Sequence, residues 1–194
     1  AAPGARIPAT WARMLLDATP AHGVLVAAGD NDTYPVWYLQ EVMGYRRDVR
    51  VVTLPLLPAA WYRAELHRRD RLLPESAVTM WDVGDGSTAR EIARRAEAEG
   101  RPVAVSLYVD RADRDAIGRR WRANGMTFVL DTTGRAAADS VVIEPETAWA
   151  ERLAAVARPV VARRVRPSTD PAQEYFQSLM RCPAHVVQRA RGVD

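Results

Sequence analysis

The run Val24-Leu25-Val26-Ala27-Ala28, the polar turn Gly29 to Thr33 and the stretch from Val36 to Met43 constrain this chain most. A short β-branched apolar run is what a strand covered on both faces requires. Gly29 permits a sharp exit, because it has no Cβ to clash at positive φ. Asp30, Asn31, Asp32 and Thr33 are all good helix N-caps. Pro35 suits an early helical position, where its missing N–H costs nothing. Val36, Leu39, Val42 and Met43 then recur at helical spacing, and a second apolar run spans Val49 to Leu54. Strand, helix and strand in so few residues read as a βαβ unit, with parallel strands and a right-handed crossover. Ligands of such sheets bind outside the carboxyl ends of the strands, which is where the Gly29-to-Thr33 turn is expected.

The rest of the chain alternates in the same way. Thr10 is expected to cap a helix from Trp11 to Ala18, which Pro20 ends. A helix is expected from about Ala59 to Arg69, then a linker from Leu72 to Ser76 and a third strand from Ala77 to Trp81. Ser87 or Thr88 caps an amphipathic helix to Glu99, with Ala89, Ile92, Ala93 and Ala96 on its apolar face, and Gly100 stops it. Strand Val103 to Leu107 follows. A basic helix then runs from Asp110 to about Ala123, with Ile117 and Trp121 inward, and strand Met126 to Leu130 comes next. An edge strand at Val141 to Ile143 and helices from Glu146 and from Asp170 complete the reading. This pattern predicts an α/β fold: a Rossmann-like, mostly parallel sheet with helices on both faces. Residues 1–145 would form it, and 146–194 would be a C-terminal helical extension packed on it.

Composition narrows the function classes. The chain has 194 residues and a formal net charge of +3, and all 27 of its basic residues are Arg. Without Lys, a Lys-dependent phosphate loop is impossible. The Arg clusters, such as Arg68-Arg69-Arg71 and Arg119-Arg120-Arg122, read as solvated faces balanced by acids, so no nucleic-acid partner is expected. The single Cys182 cannot form an intrachain disulfide or a cysteine-cluster metal site within this sequence. His22, His67 and His185 lack ligand spacing. No apolar window reaches the roughly 20 residues of a membrane span, and the first residues do not read as a signal peptide. The chain is therefore expected to be an excised portion of a longer protein.

The densest signal is the run Gly29-Asp30-Asn31-Asp32-Thr33-Tyr34-Pro35-Val36-Trp37-Tyr38-Leu39-Gln40-Glu41-Val42, followed by Gly44-Tyr45-Arg46, Asp48 to Val52, Leu54 and Trp61-Tyr62. It resembles the signature of a bacterial family of protein O-mannosyltransferase-like (GT-C-type) membrane glycosyltransferases that carry a domain of unknown function. Arg101 to Ser106 and Gly125 to Leu130 resemble later strands of that family, whereas Pro55 to Ala60 lacks the polar residues that usually precede the Trp-Tyr pair. The resemblance implies a membrane-embedded part of the same polypeptide, holding the catalytic carboxylate and taking sugar from a lipid-linked donor. It implies an extracytoplasmic, periplasmic-face location for this soluble part, which would bind the acceptor protein or glycan, or the lipid-linked sugar, without being catalytic alone.

Three sets of residues could carry chemistry. Asp30, Asn31, Asp32 and Thr33 could contact sugar hydroxyls, and Asp30 with Asp32 could hold a divalent cation, as an Asp-x-Asp does in many nucleotide-sugar transferases. The bland reading is that one of them caps the helix and another closes the turn. Tyr38, Trp61 and Tyr62 could form a platform for a sugar ring, while Trp37 reads as core. Gly84-Asp85-Gly86-Ser87-Thr88-Ala89, with Asp110 beyond the next strand, outlines a dinucleotide fingerprint or else a plain loop and cap. Two readings of other classes stand beside the first: a self-sufficient enzyme using a metal and a nucleotide sugar, and a structural module. If Asp32 were only a cap, Asp32→Ala would cost about 1 kcal/mol and nothing else.

Overall fold

A computed structural model of the chain describes residues 7–79 and 86–132. The edge strand expected at 141–143, the helices expected from 146 and from 170, and so the extension 146–194, lie outside these residues. So do Gly84, Asp85 and the end of the third expected strand.

Helix α1 (Ile7–Ala18) leads into strand β1 (Val24–Ala27). Helix α2 (Asp30–Trp37) continues as a π-helical turn, Tyr38–Val42, and strand β2 (Arg50–Thr53) follows. After a 3-10 turn at Leu54–Leu56 come α3 (Ala60–Asp70), α4 (Glu75–Thr79) and α5 (Ser87–Ala98). Strand β3 (Val103–Ser106), helix α6 (Arg111–Ile117), β4 (Trp121–Asn124) and β5 (Thr127–Leu130) complete the described fold. The sheet order is β2-β1-β3-β5-β4. β1 pairs in parallel with β2 and β3, while β5 is antiparallel to both β3 and β4. Four strands therefore share one direction, and β5 alone turns back.

The two sheet faces are covered by different helices. Leu25 points to one face, where Trp11, Leu15 and Leu16 of α1 and Val36 and Leu39 of α2 pack with Met126. Val24 and Val26 point to the other, against Tyr62 and Leu66 of α3, Ile92 and Ala96 of α5 and Ile117 of α6. All four residues of β1 are buried, as a doubly covered central strand requires. In α5 the expected face Ala89, Ile92, Ala93 and Ala96 is buried, and Glu91 pairs with Arg95 at 3.0 Å. Gly100 follows in the left-handed conformation.

Several local expectations are corrected. Helix α1 begins by Ile7, so Thr10 lies inside it and is not its cap. Residues 77–79 are helical, in α4, not strand, and α4 packs chiefly against α3. The basic helix ends at Ile117 instead of Ala123. Gly118 is extended there, its Cα lies where a Cβ would come 2.6 Å from Leu130, and the Trp121 indole N–H donates to the Gly118 carbonyl at 2.7 Å. Trp121 to Asn124 then form β4, and Gly125, with φ +56°, opens a two-residue hairpin loop to β5.

The loop before β2 is clamped to the end of α1 by Arg46. Its guanidinium donates to the carbonyls of Leu16, Thr19 and Pro20 and pairs with Asp48 at 2.8 Å. That pairing holds the Asp48 carboxyl well below the usual carboxylate range.

Candidate functional site

The signature turn folds differently from a turn followed by a cap. Helix α2 starts at Asp30, its N-cap is Gly29, and no side chain caps it. Asp30, Asn31 and Asp32 are thus its first three helical residues, where carboxylates favour the positive end of the helix dipole. Pro35 falls at the sixth position, not the first turn, so its missing N–H does remove an i→i−4 bond.

Residues two apart on a helix diverge by about 200°. Asp30 accordingly faces solvent and Asp32 faces the interior, only 2% exposed. One Asp32 carboxylate oxygen accepts the Ala28 N–H at 3.2 Å, the other accepts the Trp11 indole N–H at 3.4 Å, and the Ser106 hydroxyl also bonds to it. Asp32 therefore joins the ends of β1 and β3 to α1. Burial pushes its carboxyl above the ordinary value, against the opposing pull of those three donors. A cation shared by Asp30 and Asp32 would need the two carboxylates to converge, and they do not. Among the described residues no group of three or more His, Cys, Asp or Glu is placed to hold a metal ion.

Thr33 is also buried, its hydroxyl 3.0 Å from that of Thr53 at the end of β2. Asn31 is half-buried.

The aromatic residues divide between two roles. Tyr62 is core: its phenolic oxygen accepts the Thr53 N–H at 2.8 Å and its hydroxyl reaches the Val51 carbonyl at 3.4 Å. Among the described strands β2 lies at the edge of the sheet, so this side chain satisfies backbone groups that no described strand reaches. Tyr62→Phe should leave the buried Thr53 N–H unpaired and cost about 1–2 kcal/mol, read by urea unfolding; a loss near zero would mean that water replaces the phenol. Tyr38 and Trp61 are 52% and 63% exposed, and their rings do not meet. Trp37, expected in the core, is half-buried and lies edge-on to the exposed Tyr34 at 6.0 Å. Tyr34, Tyr38 and Val42, four residues apart, form an exposed stripe along α2 and its π-helical end.

At the carboxyl edge of the sheet the chain leaves β1 towards one face, through α2, and β3 towards the other, through α6. A cavity of about 250 Å³ opens beside this switch point. It is walled by Ala28 after β1, by Leu54, Pro55, Leu57 and Pro58 after β2, by the first turn of α5 from Gly86 to Ala89, and by Asp113 of α6. The loop wall is held by Arg63 of α3, which is 3% exposed. Its guanidinium donates to the carbonyls of Leu57 and Pro58 at 2.7 Å each and of Val78 at 3.1 Å.

Of these cavity residues only the Gly86-Ser87-Thr88-Ala89 segment is a candidate ligand site from the sequence, as part of a dinucleotide fingerprint. The structure does not support a fingerprint there. The described residues before it form helix α4, and the Asp110 side chain caps α6 by accepting the Asp113 N–H at 2.8 Å. Gly86, not Ser87 or Thr88, is the α5 N-cap, in the left-handed conformation.

Residues 9–77 match the family model of TMEM260-associated domain 2, a little over a third of the chain. The match spans α1, β1, α2, β2, α3 and the start of α4. No curated protein and no solved structure matches the chain.

Proposed function

We propose that this chain is an accessory domain of a membrane glycosyltransferase of the protein O-mannosyltransferase-like kind. It would stand on the extracytoplasmic side and bind acceptor or lipid-linked sugar for a catalytic centre in the membrane-embedded part of the same polypeptide. The observation that carries this reading is the family match over the βαβ unit, where the signature run lies. Within that run the structure separates two jobs. Asp32, Thr33 and Gln40 are buried and hydrogen-bonded, and so hold the fold. Asp30, Tyr34 and Tyr38 are not used by the core and face solvent, as does Trp61 beyond β2. Contact with a glycan or a protein acceptor falls to those exposed side chains. No described helix is long and apolar enough to cross a membrane, so the anchor in this proposal belongs to another part of the polypeptide.

Fractionation of the host, probed with an antibody to this domain, tests the reading. The expected result is a membrane-fraction band well above 21.5 kDa that protease reaches from outside. A soluble band near 21.5 kDa would overturn it, as would sugar transfer catalysed by the isolated chain.

A further inference from the structure

We propose that Arg50 and Arg101, at the amino edge of the sheet, form a binding site for a phosphomonoester, presented either by a phosphatidic acid headgroup or by a soluble phosphoester. This edge is the opposite one from the switch-point cavity. Arg50 opens β2 and Arg101 comes two residues before β3, with β1 between those strands. Their backbones therefore stand about 10 Å apart, two strand spacings, which two arginine side chains can bridge. The Asp70 carboxylate, at the end of α3, ties the cluster together. It pairs with Nε of Arg50 at 2.7 Å and lies within electrostatic reach of Arg101 and Arg69. The nearby Glu65 is engaged by Arg68 at 2.6 Å and by Arg69 at 3.5 Å.

Arg101 is the observation that points to an anion. It is half-buried, and its Nε donates to the His22 carbonyl at 3.1 Å. Its two terminal nitrogens make no hydrogen bond or ion pair among the described residues, although Glu99 lies within reach of its charge. Burial pushes the Arg101 guanidinium below its ordinary value, and the Arg50 charge pushes the same way, against Asp70 and Glu99. A half-buried cation beside a like charge is costly unless an anion neutralises the pair.

The donors that remain select the anion. Arg50 is 44% exposed in its side chain; its Nη1 donates to the Arg47 carbonyl at 3.3 Å, and its Nη2 makes no hydrogen bond among the described residues. One such nitrogen on Arg50 and two on Arg101 make three. A carboxylate has two oxygens and fills a single guanidinium fork. A phosphomonoester has three outer oxygens and two negative charges, so one group can bridge both side chains.

The headgroup source rests on the proposed function; the anion chemistry does not. Amide NMR spectra of the 194-residue chain would be recorded with methyl phosphate and with acetate, and the chain would be sedimented with phosphatidylcholine vesicles with and without phosphatidic acid. Methyl phosphate, or the vesicles holding phosphatidic acid, should bind; acetate and plain vesicles should not. Arg101→Lys keeps the charge but loses the fork, and should weaken binding at least tenfold. Arg50→Lys should do the same, and reports if the first variant fails to fold. Arg111→Gln removes an exposed charge from the start of α6, at the other edge, and should leave binding within twofold. Shifts of the Arg50 and Arg101 amides by methyl phosphate assign a soluble phosphoester as sufficient, and vesicle binding without them assigns the headgroup. No binding of either kind overturns the site. So does acetate that binds as tightly as methyl phosphate, duplex DNA that binds more tightly than either probe, or an equal loss in Arg101→Lys and Arg111→Gln. Such a failure leaves the fractionation result, and the accessory-domain reading, standing by themselves.

Discussion

Asp32→Ala is expected to lower the free energy of unfolding by about 3 kcal/mol, measured by urea denaturation. Three donors lose one acceptor at once: the Ala28 N–H, the Trp11 indole N–H and the Ser106 hydroxyl. Each belongs to a different element, so the loss loosens β1, α1 and β3 together. A helix cap replaced by Ala would cost only about 1 kcal/mol, and the measured size therefore separates the two roles. The pH dependence adds a second signature. Burial raises the Asp32 carboxyl in the folded chain, so the folded state holds this proton more tightly than the unfolded one. Its contribution to stability then grows as pH falls from neutral through the raised value towards the unfolded value of about 3.9. The gap between wild type and Asp32→Ala should widen over that window. A gap that narrows there, or a loss near 1 kcal/mol at neutral pH, would show that the carboxylate is not the interior acceptor described.

Arg63→Met should cost a similar amount, about 3 kcal/mol, for a different reason. The buried guanidinium donates to three backbone carbonyls, at Leu57, Pro58 and Val78. Leu57 and Pro58 lie in the turn before α3, and Val78 lies in the last turn of α4, where helix carbonyls lack an intrahelical partner. Met keeps much of the volume and removes the charged donors, so the loss reports hydrogen bonding more than packing. Leu57 and Pro58 also wall the cavity, so the variant should shift the amide signals of Leu57 and of Ala59 beside it. A variant with full stability would mean that water replaces the guanidinium.

The βαβ unit was legible because its apolar periods change where the structure changes. Val24 to Ala27 is uniformly apolar and becomes a strand buried on both faces, and Ala89, Ile92, Ala93 and Ala96 repeat at helical spacing and become the buried face of α5. The last strand was read as Met126 to Leu130 and is β5, whereas β4 was less legible. Ile117 and Trp121 are four apart, which suits a helix, and both are indeed buried. What makes Trp121 to Asn124 a strand is pairing with β5 across a loop opened by Gly125. The Asn124-Gly125 pair carried that hairpin signal, although it was read as a helix stop.

For the candidate site the division is similar. Residue types and spacing placed polar groups at the carboxyl end of the first strand, because a βαβ connection must emerge there. They could not say which groups turn inward, since that depends on where the helix begins: starting α2 at Asp30 buries Asp32 and leaves Asp30 in water. The cavity was invisible in the sequence because its walls come from four separate stretches, at Ala28, Leu54 to Pro58, Gly86 to Ala89 and Asp113. Local periodicity determined α2, α3 and α5, the central strands and their order of succession. Only long-range packing, which brings residues tens of positions apart into contact, decided the reversed β5, the interior role of Asp32 and the cavity beside the switch point.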